Sequence, residues 1–104
     1  MYESGQDGTA LSRFERELGA SLREFEHGLN LATSEQWTSP RPGCYRVILD
    51  GAELEIEIVD QGERRIAALS IPLLRAVYRF KSGSTEQRRR LLARLDLAMQ
   101  RGGG

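Results

Sequence analysis

Residue types that staple a fold or build a reaction centre are scarce in this 104-residue chain, which has a single cysteine, Cys44, a single histidine, His27, and three prolines. One cysteine excludes an intramolecular disulfide and offers a structural zinc site only one thiolate per chain, which fits a reducing, cytosolic setting. Long apolar runs are missing too. The most apolar stretch, Ile66 to Leu74, is interrupted by Ser70 and Pro72 and bracketed by Arg65 and Arg75, far short of the roughly 20 residues of a membrane-spanning helix. Met1 to Ala10 carries acids and no base, the reverse of a secretory signal, so the expectation is a cytoplasmic protein with no membrane contact. The chain has no G-x-S-x-G, no phosphate-cradling glycine loop and no H-E-x-x-H, and no acid, base and nucleophile can be placed together. We therefore expect no enzymatic activity, no cofactor and no metal.

What the chain does have is charge, unevenly spread. The formal net charge is zero. Met1 to Asp60 holds 5 basic and 12 acidic residues, and Gln61 to Gly104 holds 10 basic and 3 acidic. Halves of opposite sign and equal size point either to a nucleic-acid or protein partner, or to a fold in which the two halves lie against each other.

Local pattern predicts a first helix from Thr9 or Ser12. Ser12 and Glu15 fit a capping box, and Phe14, Leu18, Leu22, Phe25 and Leu29 recur at spacings of 4, 4, 3 and 4 on one helical stripe. Gly28 and Asn30 suggest its end. Thr33 to Gly43, with Pro40, Pro42 and Gly43, reads as a loop. Cys44 to Leu49 and Ala52 to Val59 flank Asp50-Gly51, the pair favoured in a type I′ turn. That turn sets Leu49 opposite Ala52, Val47 opposite Leu54 and Tyr45 opposite Ile56 on one face. On the other face Arg46 meets Glu55, while Glu53 and Glu57 meet Ile48 and Cys44. A second turn is expected over Asp60 to Glu63 with Gly62 left-handed, then strands Ile66 to Ile71 and Leu74 to Phe80 broken at Pro72; a short helix opening at Pro72 is the alternative. Ser84 and Gln87 form a second capping box, opening a helix that turns Leu91, Leu92, Leu95 and Met99 inward and stops at Gly102. The expected fold class is α+β, a two-layer sandwich with an antiparallel four-stranded meander and the N- and C-terminal helices on one face, in the order α-β-β-β-β-α. It forms one domain over residues 9–101, between a flexible N-terminus at 1–8 and a flexible glycine tail at 102–104.

Several groupings invite chemistry. Glu53, Glu55 and Glu57, extended by Asp60, form an acidic comb, but alternate residues of a strand stand about 7 Å apart, too far to share one ion. Arg88, Arg89, Arg90 and Arg94, with Arg101, make the last helix basic, yet consecutive helical residues fan out by about 100° and no stacking aromatics accompany them. His27 lies beside the apolar stripe without a second histidine, and Cys44 faces Glu57 rather than a base in a positive surrounding. The ending Arg101-Gly102-Gly103-Gly104 resembles the glycine-glycine C-terminus of ubiquitin-like modifiers and sulfur carriers. That resemblance implies a slim tail threading into an activating enzyme's adenylation site. It covers four residues, and here the tail follows a helix instead of the last strand of a β-grasp fold.

Finally, the sheet carries more apolar surface than two helices on one face can cover. Ile48, Leu69, Ile71 and Val77 are expected on the open face with Arg75, ringed by Glu53, Glu57 and Arg79, in the manner of an interface with an apolar centre and polar rim. The expected function is a small non-enzymatic protein-binding or assembly module, a homodimer or a partner of another protein. Nucleic-acid binding through Arg88, Arg89, Arg90 and Arg94 is the alternative, and a carrier using the Gly-Gly tail a third reading.

Overall fold

The structure, a computed structural model, describes residues 12–102, with side chains to Gln100. The expected flexible N-terminus and the tail beyond Gly102 lie outside the described residues. In chain order the elements are β1 (Arg13–Leu18), α1 (Leu22–Thr33), β2 (Trp37–Arg41), β3 (Cys44–Leu49), β4 (Ala52–Ile66), β5 (Leu69–Ser82) and α2 (Thr85–Gly102). The class is α+β as expected, but the sheet has five strands instead of four, in the order β1-β5-β4-β3-β2, all antiparallel.

The first expected helix divides. Arg13–Leu18 is a strand paired with β5, Phe14 opposite Tyr78 and Leu18 opposite Leu74. The helix starts only at Leu22, where Ser21 Oγ accepts from the Glu24 N–H (3.1 Å) and the Ser21 N–H donates to Glu24 Oε1 (2.8 Å). This capping box, not Ser12 with Glu15, opens α1. The physical reason lies in the spacing: Phe14 and Leu18 are four apart, a multiple of the strand period 2 and close to one helical turn, so both structures put them on one face. Leu22, Phe25 and Leu29, at spacings of 3 and 4, suit only the helix. The α1 helix also runs past Gly28 and Asn30 to Thr33, whose Oγ1 donates to the Leu29 carbonyl (2.7 Å).

The expected loop contains β2. Its Trp37 pairs with Val47 and its Arg41 with Cys44, while Pro40 is tolerated because β2 is an edge strand. Trp37 Nε1 donates to Asn30 Oδ1 (2.6 Å), tying the strand to α1. The Asp50-Gly51 turn has positive φ at both positions (55° and 87°), and all six expected β3–β4 pairs are present in register. Gly62 has the expected positive φ, yet no turn forms there. The register shifts between Asp60 and Glu63, and β4 continues through this bulge to Ile66. The reversal comes at Ala67-Ala68, so the expected strand Ile66–Ile71 is divided between β4 and β5, and Pro72 sits within β5 opposite Glu63.

Both helices cover one face, as expected. Phe25 and Leu29 of α1 and Leu91 and Leu95 of α2 bury against Tyr45, Val47, Leu54, Ile56, Leu74, Tyr78 and Phe80 of the sheet. The second capping box is present: Gln87 N–H donates to Ser84 Oγ (3.1 Å) and Ser84 N–H to Gln87 Oε1 (2.8 Å). No helix among the described residues is long and apolar enough to cross a membrane.

Candidate interaction surfaces

The sheet face away from the helices is organised by charge. Across β1, β5, β4 and β3 it presents the acids Glu15 and Glu17, then Arg75, Arg79 and Lys81, then Glu53, Glu55 and Glu57, then Arg46. Opposite signs are neighbours at most steps, the exception being Arg13 of β1, which pairs with Arg79 of β5. Glu15 accepts from Arg75 Nε and Nη2 (2.9 and 2.6 Å) and from Arg13 Nη2 (3.0 Å). Glu57 accepts from Arg79 Nη1 (2.9 Å) and pairs with Arg41. Arg46 lies 3.7 Å from both Glu53 and Glu55, and Lys81 is 3.8 Å from Glu55. Hydrogen bonds from Arg75 and then Arg13 hold the Glu15 carboxyl below its ordinary range, and those from Arg79 and then Arg41 do the same for Glu57. Of these contacts Glu15–Arg75, Glu57–Arg79 and Glu55–Lys81, with Glu17–Arg64, Asp50–Arg94 and Arg16–Asp96, join the two oppositely charged halves of the sequence.

This lattice changes the expected patch. Val77 is on the open face but only 8 % exposed, between Glu15 on one side and Glu57 on the other. Arg75 is committed to Glu15. Ile48 is 62 % exposed beside the Asp50-Gly51 turn, whereas Leu69, 65 % exposed, sits next to the Ala67-Ala68 turn at the other end. Since Ile48 is level with the C-terminal end of β5, about 13 residues along that strand from Leu69, they are roughly 40 Å apart. Ile71 is half-buried, its Cγ2 over Gly19. The five residues therefore share a face without forming one patch.

Leu69 and Ile71 belong instead to an arm. β1 pairs with β5 no further than Leu74, and β3 with β4 no further than Glu57. Beyond these limits Asp60–Ile66 and Leu69–Leu73 pair only with each other among the described residues, and the chain extends 44 Å along its longest axis. Ile66 and Leu69 pair directly and are both exposed, Val59 is exposed at the arm's base, and Arg64 and Arg65 flank them. Nothing in the local pattern announced the arm, because the apolar content of Ile66 to Leu74 is equally that of a buried strand.

Two arginines of the basic helix, Arg88 and Arg94, are tied to residues outside it. Arg88 Nε donates to the Gly83 carbonyl (3.0 Å) and its guanidinium lies over Phe80 at 5.6 Å; Arg90 pairs with Glu86 (3.2 Å) and Arg94 with Asp50 (3.5 Å). Arg89 is exposed. His27 is exposed on α1. Cys44 is buried, and desolvation pushes its thiol up from the ordinary value despite Arg41 nearby. On the core side, burial raises the Tyr78 hydroxyl to about 12. The Tyr45 hydroxyl, also raised by burial, donates to Glu26 Oε2 (2.6 Å). No three ligating side chains among the described residues converge as a metal cage. Compared with known proteins, the chain matches no family model and none of the curated proteins.

Proposed function

We propose that the chain is a small non-enzymatic protein-binding and assembly module whose binding element is the β4–β5 arm. One observation carries this reading. The arm is a two-stranded ribbon that leaves the sheet with Ile66 and Leu69 exposed as a direct cross-strand pair. A two-stranded hairpin is at best marginally stable in water without a third strand or a packed face. Apolar side chains concentrated on such a ribbon gain stability when a partner covers them, and the adjoining Arg64 and Arg65 suit an apolar surface with an acidic rim.

The test compares the tagged full chain with the double variant I66S/L69S, recovered from native extract under identical conditions. Both positions are exposed, so the two proteins are expected to melt within a few degrees of each other, since exposed substitutions change stability by about 0.5 kcal/mol. A stoichiometric companion protein held by the wild type and lost by the variant is expected. Equal recovery by both, or no companion with the wild type, refutes the reading.

A further inference from the structure

The two edges of the sheet differ. At the β2 edge Pro40 lacks an N–H and the register shifts between Thr38 and Arg41, features that discourage further pairing. The β1 edge is six residues of regular strand with neither proline nor bulge. Its pairing with β5 determines which backbone groups remain. The Phe80 N–H donates to the Ser12 carbonyl (2.9 Å), which makes Ser12–Phe80 a hydrogen-bonded pair. By the alternation of an antiparallel ladder, Phe14–Tyr78, Arg16–Ala76 and Leu18–Leu74 bond likewise. The N–H and C=O groups of Arg13, Glu15 and Glu17 therefore point outward, at an edge that no other strand among the described residues pairs with.

We propose that this edge pairs with the β1 edge of a second copy of the chain, antiparallel about a two-fold axis at Glu15, joining two five-stranded sheets into one. Two registers overlap β1 along nearly its whole length while setting outward-pointing groups against each other. Centred on Glu15, Arg13 meets the second copy's Glu17 and Glu17 its Arg13. Centred on Arg16, Glu15 meets Glu17 and Arg16 meets itself, like against like. Charge complementarity selects the first. The two Glu15 carboxylates at the axis each remain bound to their own Arg75 and Arg13. On the helix side Phe14 faces the second copy's Arg16, repeating across the axis the contact that Arg16 makes over Phe14 within the chain, 5.3 Å from the ring centre.

An independent feature lies along the same edge. A groove of about 600 Å³ runs between α2 and β1, lined by Leu18, Tyr78, Leu97 and Met99 among others, and Leu97 is 51 % exposed. Pairing at β1 brings two such grooves side by side beneath two α2 helices, so that Leu97 gains apolar neighbours from the second copy. An isologous contact of this kind closes on itself and leaves both arms free.

The experiment uses the full chain. Bonded pairs on the axis have Cα atoms about 5.5 Å apart, within the roughly 4.4–6.8 Å that a disulfide spans. E15C is therefore expected to form a covalent dimer on mild oxidation. R13C, whose counterpart across the axis is roughly 14 Å away, is expected to remain uncross-linked, as is the wild type with its buried Cys44. R13E gives up the bond to Glu15 but sets a carboxylate opposite Arg79 within the chain, and its fold is checked by circular dichroism before its association is measured. By sedimentation equilibrium, R13E and E17R are each expected to weaken association about tenfold, and the double reversal R13E/E17R to restore it. A wild type that stays monomeric at high concentration, E15C that fails to cross-link, R13C that cross-links equally well, or a double reversal no better than the singles overturns the proposal. I66S/L69S should cross-link through E15C as the unaltered chain does, so failure of the arm reading and failure of the edge pairing are separable.

Discussion

Gly83, between β5 and α2, tests how tightly the end of the hairpin is packed. Its φ is +110°, and a Cβ there would stand 2.9 Å from both Cα and Cβ of Ala52 and 3.2 Å from the Gly51 carbonyl oxygen. Ala52 is fully buried and pairs with Leu49 to close the β3–β4 turn, so the obstructing atoms are backbone and core rather than the end of a flexible side chain. Gly62 provides the control, with φ +82° and nothing within 4 Å of the corresponding position. Both alanine substitutions incur the left-handed backbone penalty, about 1–2 kcal/mol. Only G83A adds overpacking, about 1–3 kcal/mol. The expected loss is therefore about 2–5 kcal/mol for G83A against about 1–2 kcal/mol for G62A. Urea unfolding read by circular dichroism measures the difference, which should appear as a lower midpoint at unchanged m-value. Loss in G83A no greater than in G62A would mean that the β5–α2 junction does not press on Ala52, and the packing described here would be wrong.

Two further predictions follow from the open sheet face. Arg79 and Arg41 lower the Glu57 carboxyl from 4.5, as Arg75 and Arg13 lower Glu15, so their contribution is fully present above about pH 4.5 and is lost as pH falls through the lower folded-state values. E57Q should accordingly lose less stability than the wild type between about pH 5 and pH 3 at low salt, measured as the urea midpoint at each pH; parallel acid limbs refute the assignment. Cys44, buried with its thiol pKa raised, should resist a disulfide-forming thiol reagent at about pH 8 until denaturant exposes it, with labelling that tracks global unfolding. Rapid stoichiometric labelling of the native chain would contradict its burial.

The β3–β4 turn and its six pairs were legible in the sequence because two independent local signals coincide there. Asp50-Gly51 specifies the turn, the turn specifies the register, and the alternation Tyr45, Val47, Leu49 agrees with it. β1 was not legible for a specific reason. Its core-side position between Phe14 and Leu18 is Arg16, which breaks the apolar alternation, and what makes Arg16 acceptable there is tertiary: the Asp96 carboxylate from α2 and the rings of Phe14 and Tyr78, 5.3 and 5.7 Å away. β2 is polar apart from Trp37, as an edge strand exposed along most of its length can be. Gly62 gave a correct signal for positive φ, but the same conformation serves a bulge as well as a turn, and only the length of β5 distinguishes them. Ile48 and Leu69 stand far apart because β4 and β5 reverse at Ala67-Ala68, beyond the turn expected at Asp60 to Glu63.

The charge asymmetry of the sequence follows from the strand order. β5 is the last strand in the chain yet lies between β1 and β4 in the sheet, so a basic strand from the second half has Glu15 and Glu17 on one side and Glu53, Glu55 and Glu57 on the other. A sheet with one solvated face needs no third layer, and individual exposed ion pairs contribute only about 0–1 kcal/mol each. Their stronger effect is on arrangement. Inserting β5 elsewhere, or pairing β1 with β4, would set Glu15 and Glu17 against Glu55 and Glu57 and carry a repulsion that the observed order avoids. The alternation ends at β1, where Arg13 and Glu17 are presented with outward-pointing backbone groups and opposite charges two residues either side of Glu15. The charges that order the neighbours within the sheet therefore leave, at this edge, a segment that the proposed register makes complementary to itself.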